Sequence, residues 1–370
     1  MYKALYCFVA VILLAIGAQA QTPRARTRLA IIGLDHDHVW GLLTDIAQVP
    51  QADLTAIADT HPELIDRAKR RVPLNVKFYS DYVKMLDDVK PDGVIITTET
   101  DHHLAIVREC AKRHINVEME KPMATTSEDA HQMLRLAQEN HILLMVNYVN
   151  NWFPSTQELY QEVRAGKIGP IDKIVVQFGH QGPREIGVSR EFAAWLYDPV
   201  KNGGGALMDF GCYGADLAVW LEGKPVKVFA RSLKLKTSQH NGVEDDAVIL
   251  LEYPRATDLI EPSWDWPYTM ERVEVFGLKG SLLGLPNGLL YRAYNTRTSM
   301  NHPDGQPVSL ASLPLPAQQS NPIAYYVDHI QNHKPIGGLL SAKLNVEVDE
   351  ILDAAKESIH TGRVVILPAD

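Results

Sequence analysis

Two stretches of this chain place side chains where they could do chemistry. The first is Glu120-Lys121-Pro122, which follows a short apolar run, Asn116 to Met119, of the kind that forms a buried strand. At the carboxyl end of a strand in an open parallel sheet, an ammonium points into the crevice where ligands bind. Pro122 fixes its own φ and biases Lys121 towards extended geometry. The second stretch is Asn202 to Gly223, NGGGALMDFGCYGADLAVWLEG, where three consecutive glycines allow close backbone approach as a helix opens. Asp209 and Tyr213, at i and i+4, share one face of that predicted helix. A carboxylate beside a phenol can orient it for proton transfer, and an ammonium brought close would lower the phenol pKa. Taken singly, each has a plainer reading: Lys121 as a loop lysine solvating a turn, Tyr213 as amphipathic core, Asp209 as a helix cap.

A third stretch, Gly33-Leu34-Asp35-His36-Asp37-His38, stands where a dinucleotide fingerprint G-x-G-x-x-G would follow the first strand. Asp35 replaces the glycine that lets backbone approach pyrophosphate, and its charge would repel that group. His36 or His38, if protonated, would offset part of the repulsion. Asp59, ending the second strand, suits a ribose diol and points to NAD over NADP. Asp35, His36, Asp37, His38, Asp59, His61, Asp101, His102, His103 and Glu120 all fall on loops at one end of the same sheet, a concentration of metal-type ligands. No HxxxH or CxxC spacing accompanies them, and no metal is assigned. Trp152, Trp264 and Trp266 either stack on a sugar ring or pack in the core, whereas Trp195 and Trp220, within predicted helices, are assigned to packing. His180, after a strand, either lines the cleft or faces solvent.

The elements that must position these groups come in two sets. From Leu29 to Val146, apolar strands (Leu29 to Gly33, Leu54 to Asp59, Gly93 to Thr97, Asn116 to Met119, Ile142 to Val146) alternate with amphipathic helices (Val39 to Val49, Pro62 to Arg71, His102 to Arg113, Ser127 to Glu139). That alternation predicts a doubly wound, Rossmann-type parallel sheet over residues 28–146. Beyond it, at 147–370, β-rich runs with short connections and a few helices predict an α+β domain with an open, largely antiparallel sheet.

Together these stretches resemble the Gfo/Idh/MocA family of glucose-fructose oxidoreductase and inositol dehydrogenase relatives. The family's Glu-Lys-Pro falls on Glu120-Lys121-Pro122, and its GGG-x-L-x-D-x-G-x-(H/Y)-x-x-D falls on Gly203 through Asp216. His103 matches a family His seventeen residues before that Glu. The resemblance implies Lys121 and Tyr213 as the catalytic pair, with Asp209 orienting or binding substrate. It implies a dinucleotide along Gly33, Leu34, Asp35, His36, Asp59, Thr97, Thr98, His103, Glu120 and Lys121. The carbohydrate would meet Asn147, Trp152, His180, Asp209 and Tyr213, and the chain would form a homodimer or homotetramer through the second sheet.

Composition bounds the rest. Lys3, an apolar run from Leu5 to Ile16 and Ala18-Gln19-Ala20 form a signal-peptide pattern over 1–20, followed by a polar linker at 21–27, so a secreted or periplasmic protein is expected, with no membrane attachment after cleavage. Removing 1–20 takes away one Lys and no acid, moving the formal net charge from −9 to −10, which argues against nucleic-acid or anionic-membrane partners. Cys110 and Cys212 are expected as buried free thiols. The reading is an exported NAD-dependent oxidoreductase acting on CH–OH groups of a sugar, polyol or glycoside, either with net redox or with a retained cofactor in a redox-neutral cycle. Tyr213, its pKa lowered by Lys121, would remove the hydroxyl proton. The rival is a nucleotide-free or metal-containing sugar-binding protein on the same fold.

Overall fold

A computed structural model describes residues 25–236, 242–293 and 307–368; the expected signal peptide lies outside them. The first domain runs β1 (Thr27–Ile32), α1 (Val39–Gln48), β2 (Ala52–Ala58), α2 (Pro62–Lys69), β3 (Lys77–Tyr79), α3 (Tyr82–Val89), β4 (Gly93–Ile96), α4 (His103–Ala111), β5 (Asn116–Glu120), α5 (Ser127–Glu139) and β6 (Leu144–Asn147). Its six strands lie in the order β3-β2-β1-β4-β5-β6, all parallel. The order reverses between β1 and β4, so the crevice for a ligand opens above their carboxyl ends. Helix α5 begins where expected: Thr126 Oγ1 accepts the Asp129 amide, satisfying a first-turn donor. β3 and α3 are additions to the predicted set.

The second domain runs α6 (Pro154–Arg164), β7 (Ile171–Gly179), α7 (Arg190–Leu196), α8 (Ala206–Asp209), α9 (Gly211–Glu222), β8 (Lys227–Leu233), β9 (Asp246–Glu252), β10 (Thr257–Ser263), β11 (Met270–Gly277), β12 (Gly280–Leu285), β13 (Gly288–Ala293), β14 (Val308–Leu310), α10 (Pro322–Asn332), α11 (Ala342–Thr361) and β15 (Val365–Ile366). Its strands form one sheet in the order β14-β13-β12-β11-β7-β10-β9-β8-β15, antiparallel except for the parallel pair β7–β10. Helix α9 is buried on nearly every side, because it is sandwiched between this sheet and α11.

One expectation needs correction. Asp209 and Tyr213 do not lie on one continuous helix: α8 ends at Asp209, Phe210 at φ −113° and ψ −24° breaks the run, and α9 restarts at Gly211. Packing also crosses the line at residue 147. Helix α10 returns to the first domain, where Ile323, Tyr326 and Val327 join Leu29, Ile31, Ile57 and Ile95 in one apolar cluster, and the Tyr326 hydroxyl donates to the Val94 carbonyl at 3.4 Å. The sheet face opposite α3, α4 and α5 is thus closed partly by a distant segment.

Candidate active site

Lys121 leaves the end of β5 through a cis Lys121-Pro122 bond and crosses to the second domain. Its ammonium donates to Asp209 Oδ1 in a short ion pair and to the Asp209 carbonyl at 3.1 Å. The other carboxylate oxygen, Oδ2, accepts the Trp264 indole N–H at 2.9 Å. Lys121 and Asp209 are both buried, which alone would favour their neutral forms. Their mutual attraction wins: Lys121 is held above its ordinary value and Asp209 below its own. The pair is therefore ionised at neutral pH in a low-dielectric setting, where charge counts for most.

Tyr213 lies next to this pair, but not as expected. Lys121 Nζ sits 5.3 Å from the centre of its ring, against the π face. The ring is stacked on Phe178 and packed edge-on against Tyr148. Burial, then the neighbouring Cys212, Glu120 and Asp209, push the phenol well above its ordinary pKa. The expected lowering by Lys121 is thus reversed, because that charge is spent on Asp209; Tyr213 is protonated at neutral pH and is a donor. His180 packs edge-on against Phe210, accepts the Gly182 amide at 2.9 Å through Nδ1, and is kept neutral by burial. Trp264 is fully buried, so it is not a sugar platform; its indole anchors Asp209. Both described cysteines are buried free thiols, and Cys212 Sγ donates to the Asp209 carbonyl at 3.3 Å.

Glu120 faces the other way along the same strand end. Its Oε1 accepts Asn147 Nδ2 at 2.8 Å and its Oε2 lies 2.9 Å from His38 Nδ1, while Asn147 Oδ1 takes the Trp152 indole N–H at 2.9 Å. Asn147 and Trp152 are thereby linked to the site, with Trp152 also packed edge-on against Tyr325. Burial opposes the Glu120 charge, yet His38 and Asn147 hold it below the usual carboxylate range.

At the switch between β1 and β4 the residues fit a dinucleotide. Gly33 has φ +88°, and a Cβ there would lie 2.6 Å from the Thr97 carbonyl, so only glycine lets the loop pass so close. Thr97 Oγ1 donates to the Gly33 carbonyl at 2.7 Å. The Asp59 carboxylate accepts the Leu34 and His61 amides, each at 2.6 Å, and so fixes both loops around a cavity of about 430 Å³ lined by Gly33, Asp35, Asp59, Tyr82, Thr98 and Ala105.

Asp35 is buried in this cavity, and burial, with the charges of Glu99 and Asp59, raises its carboxyl to about 8. It is neutral at pH 7, so the expected repulsion of pyrophosphate does not arise. The expected relief from His36 does not arise either, since burial lowers its pKa and keeps the ring neutral. His103 is buried, hydrogen-bonded through Nδ1 to the Met123 carbonyl at 3.0 Å, and lowered to about 4 by burial.

Sequence reasoning missed the clasp that holds this loop. The Trp195 indole donates to the Asp35 carbonyl at 3.3 Å, Ser189 N–H donates to Asp37 Oδ2 at 2.6 Å, and Lys201 Nζ lies 3.1 Å from Glu99 Oε1. Each reaches from the second domain to the first, and no local motif announces such pairings. A larger groove of about 1060 Å³, with Lys90, His114, His141 and His333 on its walls, lies at the opposite ends of the strands, far from Lys121.

Comparison with known proteins agrees with this architecture. Residues 28–148 match an oxidoreductase family with an NAD-binding Rossmann fold, and residues 156–283 match the GFO/IDH/MocA C-terminal domain. The chain is 25% identical to myo-inositol 2-dehydrogenase of Thermotoga maritima over 243 residues, covering 64% of this chain and 69% of that protein. It is 23% identical to trans-1,2-dihydrobenzene-1,2-diol dehydrogenase of Xenopus laevis over 345 residues, covering 88% and 95%. The fold is similar to that of the aldose-aldose oxidoreductase from Caulobacter crescentus, crystallised with glycerol, at a TM-score of 0.76 and 23% identity, over 92% of this chain and all of that one. With matches in both domains, the chain belongs to the Gfo/Idh/MocA family of NAD-binding oxidoreductases.

Proposed function

We propose that this protein interconverts a secondary alcohol and a ketone on a sugar, polyol or glycoside, with NAD as its cofactor. The observation that carries the reading is the buried, ionised Lys121–Asp209 pair where the two domains meet, with the protonated Tyr213 beside it. Myo-inositol, a dihydrodiol and aldoses, named in the relatives, share hydroxylated carbons, which supports the substrate class.

The roles follow from hydrogen-bond capacity. An ammonium has three donors, and Lys121 spends two on Asp209, which leaves one for the reacting oxygen. Tyr213 is a second donor to that oxygen. Together they stabilise the negative charge that grows there during oxidation, in a setting that does not need to reorganise. The hydroxyl proton lost in oxidation passes to Lys121 as Lys121 hands one of its own protons to Asp209, the ionised carboxylate anchored by Trp264. Bound NAD supplies the hydride acceptor. Gly33, Asp59, Thr98 and the neutral Asp35 would hold its adenosine half, and Glu120 with His38 would face its nicotinamide half.

Export and assembly belong to the same reading. The pattern at 1–20 supports cleavage before Gln21. Phe229, Leu233, Val248 and Leu250, exposed together on one face of β8 and β9, support a homodimer or homotetramer through that sheet. The test is a panel of sugars, polyols and glycosides assayed for NADH formation, with the denatured protein checked for released NAD. Turnover without net NADH, accompanied by released nucleotide, selects the redox-neutral form; absence of NAD binding by calorimetry overturns the proposal.

A further inference from the structure

The run Asp35-His36-Asp37-His38 distributes its four side chains to different tasks. Asp35 enters the cavity beside Glu99 and Asp59, and Asp37 is occupied, its Oδ2 accepting Ser189 N–H at 2.6 Å and its Oδ1 the Trp40 indole at 3.2 Å. The two imidazoles turn towards the end of β5. His36 is buried against Phe192, with ring centres 4.3 Å apart, and His38 meets it edge-on at 4.4 Å. One nitrogen from each ring and one Glu120 oxygen lie within 4.8 Å of one another, and among the described residues this is the one group of His, Cys and carboxylate ligands so assembled.

We propose that His36, His38 and Glu120 form a binding site for one divalent transition-metal ion. Two imidazoles and a carboxylate are a donor set for zinc, iron, manganese or cobalt, and not for calcium or magnesium, which prefer oxygen. The supporting contacts resemble those of built metal sites. Glu120 has its second oxygen held by Asn147 at 2.8 Å, which leaves Oε2 aimed at the cluster. His36 is enclosed by aromatic rings and neutral, the form that binds metal.

His38 is 43% exposed at its side chain, so it can swing to close the distance to bonding range, and the solvent side stays open for a water or a ligand oxygen. Three features oppose an ion. The 2.9 Å hydrogen bond between His38 Nδ1 and Glu120 Oε2 opens when both atoms turn to the metal, and the ion's bonds to the two replace it. His36 Nδ1 accepts the His38 amide at 3.2 Å, and an ion claims a ring nitrogen at the cost of that one long contact. Lys121 is adjacent in sequence, but its charge is matched by Asp209. Glu120 and His38 also face the nicotinamide half of NAD in the proposed function, so the ion is titrated into nucleotide-free protein, where its binding is read apart from activity.

The experiment uses the full chain, stripped with chelator and titrated with cobalt(II) by visible absorption and with zinc chloride by calorimetry. The expected result is one ion per chain, with d–d bands of a site containing imidazole nitrogen. His38→Ala should weaken cobalt binding about 100-fold or more while circular dichroism stays unchanged, since that ring is half exposed. Glu120→Gln keeps the shape and should weaken binding as well. His131→Ala, which removes a surface imidazole hydrogen-bonded to Glu350, should change nothing. Binding well below one ion per chain, undiminished binding in both His38→Ala and Glu120→Gln, or equal loss in His131→Ala would overturn the proposal.

Discussion

Replacing Asp35 by Asn tests the electrostatics of the cofactor loop most directly. Asn keeps the shape of the protonated acid and removes its titration. In the folded chain Asp35 is raised to about 8 from its ordinary value of 3.8, chiefly by burial and then by Glu99 and Asp59. The folded state therefore holds a proton that the unfolded state has lost over the range between those two values. Stability falls as pH rises through that window, by about 1.4 kcal/mol per unit for this one group, and levels off above the folded value. From about pH 5 to about pH 8 this amounts to about 4 kcal/mol as an upper bound. Water penetration and relaxation reduce it, so the expected difference is about 1–3 kcal/mol. Urea melts of both proteins across that range should show the Asn variant gaining on the wild type as pH rises. Calorimetry should show wild-type NAD affinity weakening above about pH 8, as a carboxylate appears beside the pyrophosphate, while the variant stays flat. Parallel stability curves for the two proteins, with equal NAD affinity at every pH, would refute the assignment of Asp35 as a neutral acid.

Four further outcomes are expected. Lys121→Ala and Tyr213→Phe should each lower turnover by about 10²-fold or more, and the double variant should be little worse, because both donors serve one oxygen; additive losses by steady-state kinetics would separate them. Trp264→Phe keeps an aromatic side chain but loses the indole N–H that the buried Asp209 accepts, which should cost about 1–3 kcal/mol in denaturant melts, together with a fall in kcat larger than any change in KM. Mass spectrometry of the secreted protein should find Gln21 as the first residue; an intact Met1 in the soluble fraction would remove export. Leu250→Asp, on the exposed apolar face of β9, should shift the protein to monomer in light scattering if that face joins subunits.

The fold was largely legible because its signals are local. Buried parallel strands read as apolar runs, and the cap at Thr126 marks α5 to the residue. What escaped was short and edge-placed: β3 has three residues, none fully buried, at the end of the first sheet, and so shows no period. In the site, Lys121 and Asp209 could be found through their motifs although 88 residues separate them. Their partner Trp264 could not, since a tryptophan following a strand looks the same whether it stacks on a sugar or anchors a carboxylate. Protonation states were the least legible feature. The sequence shows Asp35 and Tyr213 as an anion and a candidate base, and only burial by distant segments, with Glu99 beside one and the Lys121 charge matched by Asp209 beside the other, makes both neutral donors.

The return of α10 to the first domain has a consequence for how the protein is made. One face of the parallel sheet receives Ile323, Tyr326 and Val327 from a segment that ends at Asn332, so the first domain is not complete when residue 147 leaves the ribosome. Until nearly the whole chain has emerged, Leu29, Ile31 and Ile95 lack part of their cover. The two domains therefore mature together, and a truncation after β6 would yield an apolar sheet open on one side, prone to aggregate rather than to fold as an independent nucleotide-binding unit.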